Sequence, residues 1–362
     1  MGNVLKEAMD REGFKRILDG IVIPNGSQQE VINSSFSPVR DAIQKMLPNS
    51  LFRYRPIEDD STKEDKRIEA FEQDLIIALS ADQFNDPFDT LVRYDLPVIE
   101  DYVNQVMNLD SLSALKQYLS QGNDFPEAMK QMLPDEYWSN LKDSILNVED
   151  MGVLESRIEE VKKQFISSIT TSLPVISEFC KRFSRIACFS EDISSMLMWG
   201  HYASSHKGFA LEYDFRPTLT NPLYRSIILP VIYTDERFDA SAYMVWAYLV
   251  MNHLPAKSLD ITSYLKVALH KSKDWEYERE WRLIDMNPGD PIHLEPSIFH
   301  YMPKGIYYGC KMPLDKKQRL HKAALEKGIK EYTMYVDYSS PVYSMRYRPV
   351  GAEDVLEVFN GL

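Results

Sequence analysis

The order of apolar and polar positions divides the chain into three stretches. Residues 1–50 carry apolar positions at helical spacing, broken by "IPNGSQQ", a turn signal, so amphipathic helices are expected on either side of it. "SLFRYRPI" then alternates and ends at Pro56, which predicts a strand. "STKEDKRIEAFEQDLIIALSA" opens with a capping-type start and helical spacing, and its apolar end is a candidate strand. "DQFNDPFD" reads as a loop, because Pro87 pushes Asp86 out of helical space.

Between residues 97 and 182 the pattern changes. "DYVNQVMNLDSLSALKQYLS", "PEAMKQMLPDEYWSNLKDSIL" and "VLESRIEEVKKQFISSITTSL" are good helix formers with a period of 3.6 residues. From 183 onward, short candidate strands alternate with connectors: "RIACFS", "GFALEYDF", "LPVIYTD", "EREWRLID", "GIYYGCKM", "YTMYVDY" and "SMRYRPV". Helices are expected at "LDITSYLKVALHKSK" and "LDKKQRLHKAALEKG". The mixture predicts an α+β fold, with a mixed or mostly antiparallel central sheet and flanking helices. The expected organisation is an N-terminal helical segment (1–50), a core formed by 51–96 and 183–362, and a helical insertion (97–182).

Charge and cysteine usage narrow the function classes. With 54 acidic against 41 basic side chains the net charge is −13, which argues against the basic footprint that nonspecific nucleic-acid binding needs. Cys180, Cys188 and Cys310 are odd in number and lack metal-ligand spacing, so reduced thiols and a cytoplasmic location are expected. Cys188, on an apolar strand, reads as a core thiol. The N-terminus is charged throughout, unlike a secretory signal, and no apolar run is long enough to span a membrane. Gly-rich phosphate loops, G-x-S-x-G and H-E-x-x-H are all absent from the sequence.

Four stretches can carry chemistry. In "MLMWGHYASSHKGFALEYDF", a helix would place Met198, His201, Tyr202 and Ser205 on one face and stop at Gly208, clustering His201, Tyr202, His206 and Lys207 at a helix-to-strand corner. The bland alternative is a packed helix whose terminal His and Lys interact with its dipole. In "DWEYEREWRLI", a strand would set Glu278, Glu280 and Arg282 on one face and Tyr277, Arg279 and Trp281 on the other. Neighbouring carboxylates push one pKa up and a nearby Arg opposes that, as acid–base work requires; a solvated ion-paired face is the alternative. "FNDPFD" offers Asn85, Asp86 and Asp89, either as an Asx-type turn or as polar groups presented inward between two phenylalanines. "FRYR" places Arg53 and Arg55 on one strand face around Tyr54, suited to gripping a phosphate, or else to a sheet-edge ion pair.

Taken in order, "FRYRP", "FNDPFD", "ACFSE…LMWGHYASSHKGFALEYD", "VIYTDE", "KSKDWEYEREWRLI" and "IYYGCKM" resemble the bacterial family catalogued as domain of unknown function 2971. The arrangement is also loosely similar to ADP-ribosyltransferases. That similarity implies NAD as a substrate and a macromolecular target, in a toxin or defence setting. It gives Arg53 and Tyr54, His201 and Tyr202, and Glu280 or Glu278 the roles of dinucleotide grip, nicotinamide contact and charge-stabilising carboxylate. The motifs themselves add Arg55, Asn85, Asp89, Trp199, His206, Lys207 and Arg282 as candidate ligand-binding residues. Two rivals remain open: a metal-dependent phosphodiesterase built on Asp86, Asp89, Glu278, Glu280 and Lys207, and a module that binds a small nucleotide or anion without chemistry.

Overall fold

Asp10 starts the first helix by accepting a hydrogen bond from Gly13 N, and Phe14 and Leu18, one turn apart, are its buried side chains. This helix (Arg11–Asp19) and a third one (Ser37–Met46, burying Val39, Ala42 and Ile43) bring the N-terminal apolar positions onto a central sheet. The computed structural model describes residues 9–24, 26–58, 65–106, 108–125, 130, 135–147, 151–220, 226–251, 260, 262–286 and 295–351. The strands, in chain order, are β1 (Leu51–Arg55), β2 (Leu75–Ala78), β3 (Ile186–Ser190), β4 (Phe209–Tyr213), β5 (Ser226–Pro230) and β6 (Ile232–Thr234). They continue with β7 (His270–Ser272), β8 (Glu280–Asp285), β9 (Ser297–His300), β10 (Gly305–Tyr308), β11 (Lys330–Val336) and β12 (Met345–Pro349).

Eight of them form one sheet in the order β12-β11-β10-β4-β1-β3-β8-β5. Every neighbouring pair is antiparallel except β10 with β11. The fold is therefore α+β around a mixed, mostly antiparallel sheet, as the sequence pattern predicts. β2 pairs with β9, and β6 with β7, in two small ribbons.

Pairing fixes the two faces, because directly opposed residues share a side. Phe52 faces Ser190, and Ser190 faces Glu280, so Phe52, Tyr54, Cys188, Glu280 and Arg282 project from the first face. Arg53, Arg55, Phe189, Trp281 and Leu211 project from the second. The N-terminal helices and the helices Lys66–Glu72 and Leu314–Lys327 pack with the second face in the main core. On the first face, Met198, Trp199 and Ala203 pack with Phe52, Tyr54, Ala210 and Tyr307.

The described part of residues 97–182 is helical, and no strand occurs in it among the described residues. Its helices are Leu96–Val106, Leu109–Ser120, Asp135–Leu146 and Met151–Phe183; residues 126–129 and 131–134 of the helix expected at "PEAMKQMLP" lie outside the described residues. Ile169, Leu173, Ile176 and Cys180, spaced four and three apart, bury one stripe of the long helix against Ser241–Met251 and Leu96–Val106. No helix among the described residues is long and apolar enough to cross a membrane.

Three local expectations are corrected. The helix at "MLMWGHYASS" ends at Tyr202, and Ser204, Ser205 and His206 all take left-handed backbone conformations (φ 46°, 53° and 71°). Met198 is thus buried while His201 is exposed, and the two do not share a packed face. The helix at "LDITSYLKVALHKSK" stops at Leu269, and the chain passes into β7. Glu278 is not in a strand: residues Lys273–Glu278 form a 3-10 turn, and Arg279 is left-handed (φ 45°) before β8 begins at Glu280.

Candidate functional site

The site grows from one buried guanidinium. Arg282, at the middle of β8, is fully buried and spends all five of its donors. Nε reaches Glu280 Oε1 at 2.9 Å, and Nη2 reaches Glu280 Oε2 at 3.2 Å and Asp89 Oδ2 at 2.6 Å. Nη1 reaches Asp89 Oδ1 at 2.8 Å and the Ala268 carbonyl at 2.6 Å. Asp89 arrives from the "FNDPFD" turn. There Asp86 caps Phe88 N (2.8 Å), and Lys181 at the end of the long helix donates to the Pro87 carbonyl (3.0 Å). The loop thus presents Asp89 inward and holds it on β8.

Lys271, from β7, is the second cation. Its ammonium lies 2.5 Å from Glu278 Oε2, 2.9 Å from Glu280 Oε2 and 3.7 Å from Asp89 Oδ2, with the Trp275 ring 5.0 Å away. The left-handed Arg279 turns the chain so that Glu278, two residues before Glu280 and outside the strand, reaches the same ammonium. Three buried carboxylates (Asp89, Glu278, Glu280) face two cations (Lys271, Arg282), which leaves one negative charge unmatched.

That imbalance falls unequally. Burial pushes the Glu280 carboxyl up, but the Arg282 charge and then that of Lys271 outweigh it and hold the group well below the ordinary carboxylate range. Glu278 goes the other way. Burial, and then the negative charge of Glu280, raise it above that range, and the Lys271 and Tyr202 hydrogen bonds only partly offset them. Burial works against the Lys271 ammonium, yet Glu280 and Glu278 keep it protonated.

Glu278 leads outward. Tyr202 Oη donates to Glu278 Oε1 at 2.5 Å, and Asn85 Nδ2 donates to Tyr202 Oη at 3.1 Å. Burial and the Glu278 charge raise the Tyr202 hydroxyl, so it remains a donor. His201 Nδ1 lies 3.2 Å from Tyr277 Oη. Asn85 and His201 are exposed, while Tyr202 and Tyr277 are half-buried. The surface therefore connects through Tyr202 to Glu278, and through Lys271 to Glu280, Arg282 and Asp89. Two carboxylates with separated titrations behind a rim of hydrogen-bonding side chains can exchange protons with a bound ligand.

Other candidate residues stand elsewhere. Trp199 is fully buried, donates to the Ile193 carbonyl (2.7 Å) and packs edge-on against Tyr54 at 5.1 Å. Tyr54 itself donates to the Asp192 carbonyl (2.5 Å), so both are core members of the first face. Arg53 and Arg55 project from the second face, away from Glu280. His206 belongs to the left-handed turn, where its carbonyl accepts from Lys311 N (3.0 Å), and burial followed by the Lys311 charge lowers its imidazole pKa. Lys207 follows it in the same turn. Gly208 and Gly309 make this turn possible: an added Cβ would lie 2.2 Å from the Arg55 carbonyl oxygen and 2.2 Å from the His206 carbonyl oxygen, respectively. The three cysteines are free, and Cys188 is half-buried beside Glu280.

Sequence reasoning missed Lys271. It is the first residue of the "KSKDWEYEREWRLI" motif, but a lysine between a helix and a turn carries no burial signal of its own; the apolar residues flanking the motif are the only hint.

An α+β protein with a buried charge cluster at one sheet face and a polar rim above it is thus defined. Residues 198–283 match the family described as protein of unknown function (DUF2971), the family that the sequence motifs resemble. The matched segment contains Tyr202, Lys271, Glu278, Glu280 and Arg282, so all of the cluster but Asp89 and Asn85 lies within it. No curated protein and no solved structure matches the chain.

Proposed function

We propose that the chain is an enzyme whose proton-transferring group is Glu278, acting on a small nucleotide-type ligand at the rim of Asn85, His201, Tyr202 and Tyr277. One observation carries this reading. Two carboxylates joined by one ammonium are pushed in opposite directions, Glu280 held ionised and Glu278 raised, and the raised one is hydrogen-bonded to the rim. Environments that drive paired titrations apart assign acid–base roles.

In its most specific form the activity is ADP-ribosyltransferase-like, with NAD as substrate and a macromolecule as acceptor. The bond from ribose C1′ to the nicotinamide nitrogen breaks, and its electron pair leaves with nicotinamide. The acceptor nucleophile bonds to C1′, and its proton passes to ionised Glu278. The carboxylate also stabilises the oxocarbenium-like cation. Glu280 suits the direct role less well, because two buried cations hold it ionised and its link to the rim runs through Lys271 and Glu278. A metal-dependent phosphodiesterase site gains no support from this geometry: Lys271 and Arg282 already lie between the carboxylates that would hold the ion.

The test is nicotinamide release from NAD at millimolar concentration by the wild-type chain and by Glu278→Gln. Release by the wild type, reduced roughly 10²–10⁴-fold in the variant, is expected for loss of a positioned acid–base group. Saturable binding of NAD without release would leave the ligand-binding reading in its place. Absence of binding would remove the NAD reading altogether.

A further inference from the structure

β1 carries two arginines on the face opposite the Glu278 cluster, and neither has a carboxylate partner within ion-pair distance among the described residues. Arg53 is 7% exposed and uses one donor, Nη2, on the Ile77 carbonyl at 2.6 Å; its guanidinium lies 5.7 Å from the Phe189 ring centroid. Arg55, two positions on and on the same side of the strand, is half-buried and makes no side-chain hydrogen bond among the described residues. Asp65 acts on it electrostatically, but its carboxylate is committed to the backbone: Oδ2 to Glu58 N (2.8 Å), and Oδ1 to Arg67 N (3.1 Å) and Ile68 N (3.4 Å).

A third group on this face points to the same place. Tyr213, on the neighbouring strand β4, is 3% exposed, and its hydroxyl has no hydrogen-bond partner among the described residues. It packs against Phe189 (5.6 Å between centroids), the ring that also underlies Arg53. Holding two like charges side by side, with no described carboxylate paired to either, is unfavourable, and Tyr213 adds a hydroxyl on the same face. One oxyanion placed among the three groups relieves that repulsion. Two guanidinium forks and a phenol offer the donors that a phosphoryl group, with several acceptor oxygens, can saturate.

We propose that Arg53, Arg55 and Tyr213 form an anion site for a phosphate-bearing ligand, separate from the Glu278 rim and on the other face of the sheet. It does not depend on the NAD reading. Burial lowers the pKa of both arginines, and for Arg55 the charge of Arg53 adds to this; a bound anion reverses that effect. The shared chemistry is a phosphoryl dianion, whether it comes as free phosphate or at the end of a nucleotide.

The experiment is a thermal melt and calorimetric titration with inorganic phosphate and pyrophosphate, against sodium chloride at matched ionic strength. A ligand that binds only the folded state raises the melting temperature in a saturable way. The expected result is stabilisation by phosphate or pyrophosphate beyond that of chloride. Affinity should fall at least tenfold in Arg55→Gln and measurably in Tyr213→Phe. Arg55→Gln should melt at or above the wild-type temperature without phosphate, since it removes a charge that no described carboxylate pairs and that Arg53 repels. If Arg55 were only a structural residue, the variant would melt lower and keep the full phosphate increment. That outcome overturns the proposal, as does a phosphate effect no larger than that of chloride. Tighter binding of pyrophosphate than of inorganic phosphate would point to a diphosphate-bearing ligand rather than free phosphate.

Discussion

The Lys271 ammonium lies 2.5 Å from the Glu278 carboxylate, and the same nitrogen is 2.9 Å from Glu280. One side chain therefore joins two acids whose other neighbours differ: Arg282 for Glu280, Tyr202 for Glu278. The difference between those neighbours is the origin of both the chemistry proposed for Glu278 and the structural weight carried by Glu280.

Glu280→Gln should destabilise the protein. Both oxygens of Glu280 are engaged by buried cations, and removing one partner of a buried pair leaves the other uncompensated, at a cost of about 3–5 kcal/mol. Urea denaturation at neutral pH measures this. From sequence alone, an exposed strand carboxylate could lose its charge and leave the fold intact. Burial at 3% reverses that expectation. A variant as stable as the wild type would show that the ion cluster contributes nothing.

Stability should depend on pH in opposite senses for the two acids. Glu278 has a raised pKa in the fold, so the native state holds more protons than the unfolded state as pH rises from the ordinary carboxylate value of about 4.3 towards the raised one. Its contribution is complete below that window and is lost as pH rises through it. Glu280 is depressed, so its contribution is present above the ordinary value and is lost as pH falls towards the folded one. Glu278→Gln cannot ionise. The stability of the variant relative to wild type should therefore increase from about pH 4 to neutrality, in urea unfolding across that range. A difference that stays constant or falls with pH would contradict the assignment.

Trp281→Ala should cost roughly 3–5 kcal/mol, the usual range for truncating a buried aromatic. Trp281 is 1% exposed, projects from the second face into the main core, and donates from Nε1 to Glu191 at 2.6 Å. Chemical denaturation measures the loss. The variant should keep whatever NAD turnover the wild type has at low temperature, because the ring points away from Glu278.

How much of this was legible depends on which physical signal each residue carries. Alternation placed Glu280 and Arg282 on one strand face and Trp281 on the other, because a period of two survives any tertiary context. The strands at "FRYR", "RIACFS" and "GIYYGCKM" were readable for the same reason. The end of the helix at Tyr202 was not. Three successive left-handed residues in "SSH" have no glycine to announce them, and the close approaches at Gly208 and Gly309 that permit the turn come from strands far apart in sequence. The three-residue strand containing Lys271 is too short for a period, so its role required the tertiary structure. Helical spacing also did not mark Ser241–Met251, which is apolar on nearly every side. The shared strand face of the two arginines of "FRYR" is legible from alternation, but strand pairing sends them to the face opposite Glu280.

The most direct measurement is a carbon-13 NMR titration of the glutamate side-chain carboxyls in the wild type, with Glu278→Gln to assign the resonance. The account predicts one carboxyl, missing in that variant, with a midpoint above the ordinary glutamate value of about 4.3. It also predicts that this midpoint moves higher still in Tyr202→Phe, which removes a donor to the ionised form. A Glu278 carboxyl that titrates at or below the ordinary value would contradict the assignment of Glu278 as the proton-transferring group.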